Sequence, residues 1–288
     1  MTAESEDNRD CGGTAERVRI ERLEAELRNF DNGDPQVQPE VLDMLARLAP
    51  FRAAGARKLR IGGRNDGGYV MVDDFADLAG AYSIGVGGDC AWDLDIAARG
   101  IDVFQFDHEI AAPPATHDRL FFSPLGLAAT EDAEKRVTSL DRMLQRNGHA
   151  EGAFLLKIDI ENDEWDVLAS LDPAILRVFR QIVIELHWFE RALEPLRRSI
   201  MQTAIRTLTR HHRVVHVHGN NFAPWTILAG VPVPRVLELT LLRDDGRWRF
   251  SAGEETYPTA LDAPNRPDAP DHQLGLFRFS APAPELKA

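Results

Sequence analysis

Cysteine is nearly missing from this chain: Cys11 and Cys90 are the only two among 288 residues. With Cys11 in a polar N-terminal stretch, no disulfide framework is expected and a reducing compartment fits. Lysine is scarce too, standing only at positions 58, 135, 157 and 287, and acids outnumber bases 46 to 33 for a net charge of −13. That shortage of positive charge argues against a nucleic-acid surface, which needs a basic stripe to neutralise phosphates. No apolar run reaches the ~18–20 residues of a bilayer span, and "MTAESEDNRD" lacks the apolar core of a signal peptide. The expectation is a cytoplasmic protein that engages neither nucleic acid nor membrane. What the chain does have is 44% hydrophobic residues, enough for a large α/β core.

Residues 1–13 read as a disordered tail and 14–57 as a helical extension. "TAERVRIERLEAELRNF" and "PEVLDMLARLAPF" both space apolar residues for amphipathic helices, fit to act as a packing lid or to join two copies as a homodimer. Residues 58–251 form the main domain. After the Gly-rich "KLRIGGRNDGGYVMVDDF" come five apolar strands, at 81–86, 102–107, 119–123, 153–160 and 180–188. Helical periodicity marks "CAWDLDIAARG", "TEDAEKRVTSLDRMLQRNG" and "EWDVLASLDPAILRVF" between them. Such alternation predicts an α/β fold whose mainly parallel sheet is covered on both faces. A helix, "EPLRRSIMQTAIRTLTRH", leads to the strand "RVVHVHGNN", then to "FAPWTILAGVPVP", read as a loop, and the strand "RVLELTLLR". Residues 252–288 are Pro-rich and read as a tail, either hugging the surface or disordered.

"YSIGVGGD" joins an apolar strand to a helix through Gly85, Gly87, Gly88 and Asp89. Glycines let a backbone bend sharply and approach a ligand beside a positive helix N-terminus, although such a turn also serves packing alone. Asp107 ends the next strand, where a carboxylate can accept from both ribose hydroxyls of an adenosine cofactor. A dinucleotide or S-adenosylmethionine would use this arrangement. A dinucleotide wants a further glycine where Cys90 stands, and Asp89 would repel its pyrophosphate, whereas Asp89 suits a sulfonium and an amino group.

The segments "RIGGRNDGGYVMVDDF", "YSIGVGGDCAWDLDIAARGIDVFQFD", "FFSPLGLA", "LLKIDIENDEWDVL", "IVIELHWF" and "HGNNFAP…VPRVLELTLLR" occur in that order, and the chain thereby resembles FkbM-type methyltransferases, in the branch carrying DGGYV. The resemblance covers about residues 58–243. It implies a Rossmann-like class I methyltransferase fold with a seven-stranded sheet, and S-adenosylmethionine-dependent methylation of a hydroxyl on a sugar, glycolipid or natural product. Carried over by position, it places Ser83, Gly85, Gly87 and Asp89 in the cofactor turn and Asp107 at the ribose. Leu125 and Gly126 fall beside the adenine, and Asp159 beside the methionine portion. Tyr69, Asn220 and Asn221 fall on the acceptor side. One departure is Asn162, where the family often has glycine; asparagine tolerates the same left-handed or capping geometry.

"LLKIDIENDEWDVL" holds five carboxylates in eight positions. Alternation puts Lys157, Asp159 and Glu161 on one face of a strand, and the carboxyl ends of strands are where open α/β sheets gather their chemistry. Asp159 is the first choice there and Glu161, facing the acceptor, the second. Asp163, Glu164 and Asp166 read as first-turn helix charges meeting the helix dipole. Glu185 and His187 share a face at the end of the next strand. Two roles are open: His187 as general base, or Asp159, Glu185 and His187 as ligands of Mg²⁺ or Mn²⁺ that lowers the pKa of a coordinated hydroxyl. Rival readings are an NAD- or nucleotide-sugar-dependent oxidoreductase and a non-catalytic scaffold of methyltransferase fold.

Overall fold

A computed structural model describes residues 34–161 and 163–280. The first expected helix, Cys11 and Asn162 lie outside the described residues, as does the end of the tail.

Seven strands form the central sheet: β1 (Gly80–Ile84), β2 (Val103–Phe106), β3 (Leu120–Ser123), β4 (Phe154–Ile158), β5 (Phe179–Leu186), β6 (His212–Gly219) and β7 (Leu237–Arg243). Their order is β6-β7-β5-β4-β1-β2-β3. β7 runs antiparallel to both of its neighbours and the other pairs are parallel. This agrees with the mainly parallel seven-stranded sheet expected.

Burial on both faces explains why the central strands read as continuous apolar runs. Phe154, Leu156 and Ile158 of β4 face the larger core. There they meet α1 (Gln38–Ala46), α3 (Leu140–Arg146), α4 (Glu164–Ser170) and α5 (Pro195–Leu208). Leu155 points the other way, toward α2 (Ala91–Ala97) and the hairpin Lys58–Ile61/Tyr69–Val72. The apolar side of α1, with Val41, Met44 and Leu45, is covered within its own chain, and Phe51–Ala53 pairs with Phe250–Ala252.

Two expectations are corrected. Helical structure over 130–148 is confined to α3, because Val137–Thr138 pairs with Gly126–Leu127 and Arg136 adopts a left-handed φ of 55°. The expected loop at 222–234 contains a hairpin, Trp225–Leu228 against Val231–Pro234. Prolines 232 and 234 disguised it, since an unpaired ribbon edge tolerates residues that a central strand does not.

The described part of the tail lies against the carboxyl end of the sheet. Asp262 meets His216 Nε2 at 2.8 Å, Asp271 meets His218 Nε2 at 3.0 Å, and Asn221 Nδ2 donates to the Arg266 carbonyl at 3.0 Å. No helix among the described residues is long and apolar enough to cross a membrane.

Candidate active site

Gly85 follows β1 with φ +80°, and an added Cβ would lie 1.6 Å from the Asp159 carbonyl oxygen, so only glycine fits this crossing of β1 and β4. Lys157 Nζ donates to the Gly85 carbonyl at 2.8 Å and stands 3.8 Å from Asp159. One Asp107 oxygen accepts from the Val86 and Gly87 amides at 3.0 and 2.9 Å, the other from Glu109 N at 2.8 Å. Burial works to raise the Asp107 pKa, but these amides outweigh it and hold the carboxyl below its ordinary value.

This turn opens onto a cleft of about 460 Å³ lined by Gly85, Gly87, Asp89, Asp107, Asp159 and Glu161, among others. Gly87 and Gly88 have nothing within 4 Å of an added Cβ. His108, Glu109 and Leu127 also line it, and the motif reading did not single them out. Ser83 is wholly buried in β1. Leu125 and Gly126 do not line the cleft; Gly126 sits beneath the His108 ring, 2.3 Å from an added Cβ.

A second cavity, of about 440 Å³, shares Asp66, Asp159 and Glu161 with the first and continues past Glu185, His187 and Asn220. Glu161 does not reach it by strand alternation, because β4 ends at Ile158; a left-handed φ of 55° turns it there. His187 Nε2 faces three carboxylates, Glu185 at 3.5 Å, Glu161 at 3.7 Å and Asp159 at 3.9 Å. Its Nδ1 lies 2.8 Å from Glu164 Oε1. Burial would lower the His187 pKa, but Glu164, then Asp159 and Glu161, raise it on balance.

Glu185 is buried and accepts from Tyr69 Oη at 3.1 Å and Asn220 Nδ2 at 3.3 Å. Burial, then the nearby Asp159, Glu238 and Asp66 carboxylates, push its pKa well above the ordinary range. Glu185, Glu238 and His218 stand opposite one another across β5, β7 and β6. Tyr69 lines neither cavity. Asn221 is buried against the tail, bonding the carbonyls of Arg266, Ala269 and Pro270.

Among the described residues, two clusters of acidic or histidine side chains have ligand atoms within 4.8 Å of one another: Asp159, Glu164 and His187, and Asp66, Glu185 and Glu238. The expected set of Asp159, Glu185 and His187 is thus divided between them. The residue that sequence reasoning passed over is Glu164. As the first residue of α4 it looked like a helix-start charge, yet its side chain is fully buried against His187. Its neighbours behave as expected of first-turn charges: Asp163 precedes the helix and Asp166 pairs with Arg197 at 2.8 Å.

Residues 105–215 match the family model described as Methyltransferase FkbM domain. The match runs from within β2 into β6 and takes in Asp107, Asp159, Glu164, Glu185 and His187. It bears out the resemblance read from the motifs and points to a methyltransferase. No curated protein matches the chain significantly.

Proposed function

We propose that the chain is an S-adenosylmethionine-dependent O-methyltransferase acting on a small-molecule hydroxyl, of a sugar, glycolipid or natural product. The observation that carries this reading is the meeting of two cavities at Asp66, Asp159 and Glu161, with His187 Nε2 facing the shared wall. The strand order supports the Rossmann-like class I fold that such enzymes share.

The first cleft fits the cofactor by its chemistry. Its glycine turn leaves open space for close approach, and its lining of carboxylates suits a sulfonium and an ammonium while opposing a pyrophosphate. That acidity, with Cys90 in the turn, also weighs against the NAD reading. Bound there, S-adenosylmethionine supplies an electrophilic methyl group. The turn and Asp107 would hold the adenosine end, and Asp159 would face the methionine end. Glu161 and Asn220 contact the acceptor. His187 Nε2 would take the proton of the acceptor hydroxyl, whose oxygen receives the methyl group. Much of the rate comes from positioning donor against acceptor.

A second reading rests on the ring of carboxylates around Nε2 at 3.5–3.9 Å. Mg²⁺ or Mn²⁺ held by Asp159, Glu185 and His187 would activate the hydroxyl instead. Calorimetry tests the cofactor: S-adenosylmethionine should bind and NAD should not, and Asp107→Ala should weaken binding at least tenfold. Unchanged affinity in that variant would sink the assignment. Turnover that survives chelation removes the metal reading.

A further inference from the structure

We infer that Glu164 is the positioning residue of the site: its buried carboxylate holds the His187 ring with the Nδ1 proton facing inward, leaving Nε2 to meet the acceptor. The inference rests on His187 being the base of the proposed transfer.

Three contacts make one device of the start of α4. Glu164 Oε1 accepts from the Ile160 amide at 3.1 Å and lies 2.8 Å from His187 Nδ1, so one oxygen ties the exit of β4 to the ring. The next residue, Trp165, donates its indole N–H to the His187 carbonyl at 2.6 Å, gripping the same residue by its backbone. Beyond the ring, Trp188 takes a left-handed φ of 58°, so the chain turns away immediately after the histidine. The carboxylate has no exposure of its own and therefore no place on the substrate path. Its Oε2 finds no hydrogen-bond partner, so the ring is the one side chain to which it is bonded among the described residues.

The chemical consequence follows from the inventory of an imidazole, which in its neutral form carries one N–H and one lone pair. An ionised carboxylate only accepts, so the neutral ring must keep its proton on Nδ1 and present its lone pair at Nε2. When Nε2 takes the acceptor's proton, the Nδ1 proton stays where it is and the imidazolium charge lies against Glu164. The titratable groups facing the ring are Glu164 from α4, Asp159 and Glu161 from the end of β4, and Glu185 from β5.

Long-range ¹H–¹⁵N spectra of the full chain, ¹⁵N-labelled at histidine, test this without an acceptor or a cofactor. His187→Gln identifies the signals of that ring by their loss. In the wild type, at a pH where the ring is neutral, the proton should sit on Nδ1, shifted downfield and slow to exchange. Glu164→Gln should move that proton upfield and give a mixture of tautomers. A wild-type ring protonated at Nε2 overturns the inference with no variant needed, as does a Glu164→Gln spectrum identical to wild type. Once an acceptor is in hand, Glu164→Gln should lower kcat about 10²-fold with the affinity for S-adenosylmethionine unchanged. Loss of that affinity in the wild type would instead defeat the methyltransferase reading and leave the tautomer result standing.

Discussion

Gly85 shows how much a single residue decides in this molecule. Its φ of +80° and the 1.6 Å between an added Cβ and the Asp159 carbonyl mean that alanine must displace backbone. Gly85→Ala should cost about 3 kcal/mol of stability and distort the glycine turn; denaturant unfolding measures the first effect, and calorimetry with S-adenosylmethionine the second. His218 shows a different kind of constraint. Its Nδ1 lies 2.9 Å from Glu238 and its Nε2 3.0 Å from Asp271. Burial works against its charge, yet these partners, Glu238 foremost, lift its pKa from 6.5 to about 10. A folded-state value above the unfolded one means stability fully present below about pH 6.5 and lost as pH rises through about 10. The melting temperature should therefore fall across that window, and His218→Gln should remove the slope. A slope unchanged in the variant would show that other groups carry it. On the proposed function, His187→Gln should abolish turnover while affinity for S-adenosylmethionine persists; full turnover would remove His187 from the proposed mechanism.

At the scale of elements, the carboxyl edge of the sheet is assembled from pieces of different legibility. β4 and α4 were readable from alternation and helical spacing, because both patterns are local consequences of which face is buried. The partition of the acidic run was readable only in part. Asp163 and Asp166 remain helix-start charges, but Glu164 points inward, since a first-turn residue can face either water or the sheet edge and only the seating of α4 beside β5 decides which. The segment 130–148 misled for a related reason: apolar residues at helical spacing also satisfy the short ladder that Val137 and Thr138 join. The tail illustrates the same limit. Its composition is that of an exposed segment, yet Asn265 is buried and donates to Asp66 at 2.9 Å and to Glu238. Asn265→Ala leaves those carboxylates short of a donor and should cost about 1–3 kcal/mol, read as a lower melting temperature. No change would mean that water replaces the amide.

Taken whole, the molecule is a sheet whose carboxyl edge carries two joined cavities beneath an acidic wall. Anything that binds the folded chain alone stabilises it by mass action, about 2.7 kcal/mol at a hundredfold excess over Kd. S-adenosylmethionine at that excess should raise the melting temperature, whereas NAD should leave it unchanged; the reverse result would favour the oxidoreductase. The sequence alone determined the seven strands, the glycine turn, the carboxylates at strand ends and the resemblance to FkbM methyltransferases, because periodicity and short motifs are written in neighbouring residues. Tertiary structure decided which charges meet. Glu164 and His187 are 23 residues apart, and His218 and Asp271 are 53 apart. Such pairings depend on strand order and on how helices and tail seat against the sheet, geometry that no local pattern encodes.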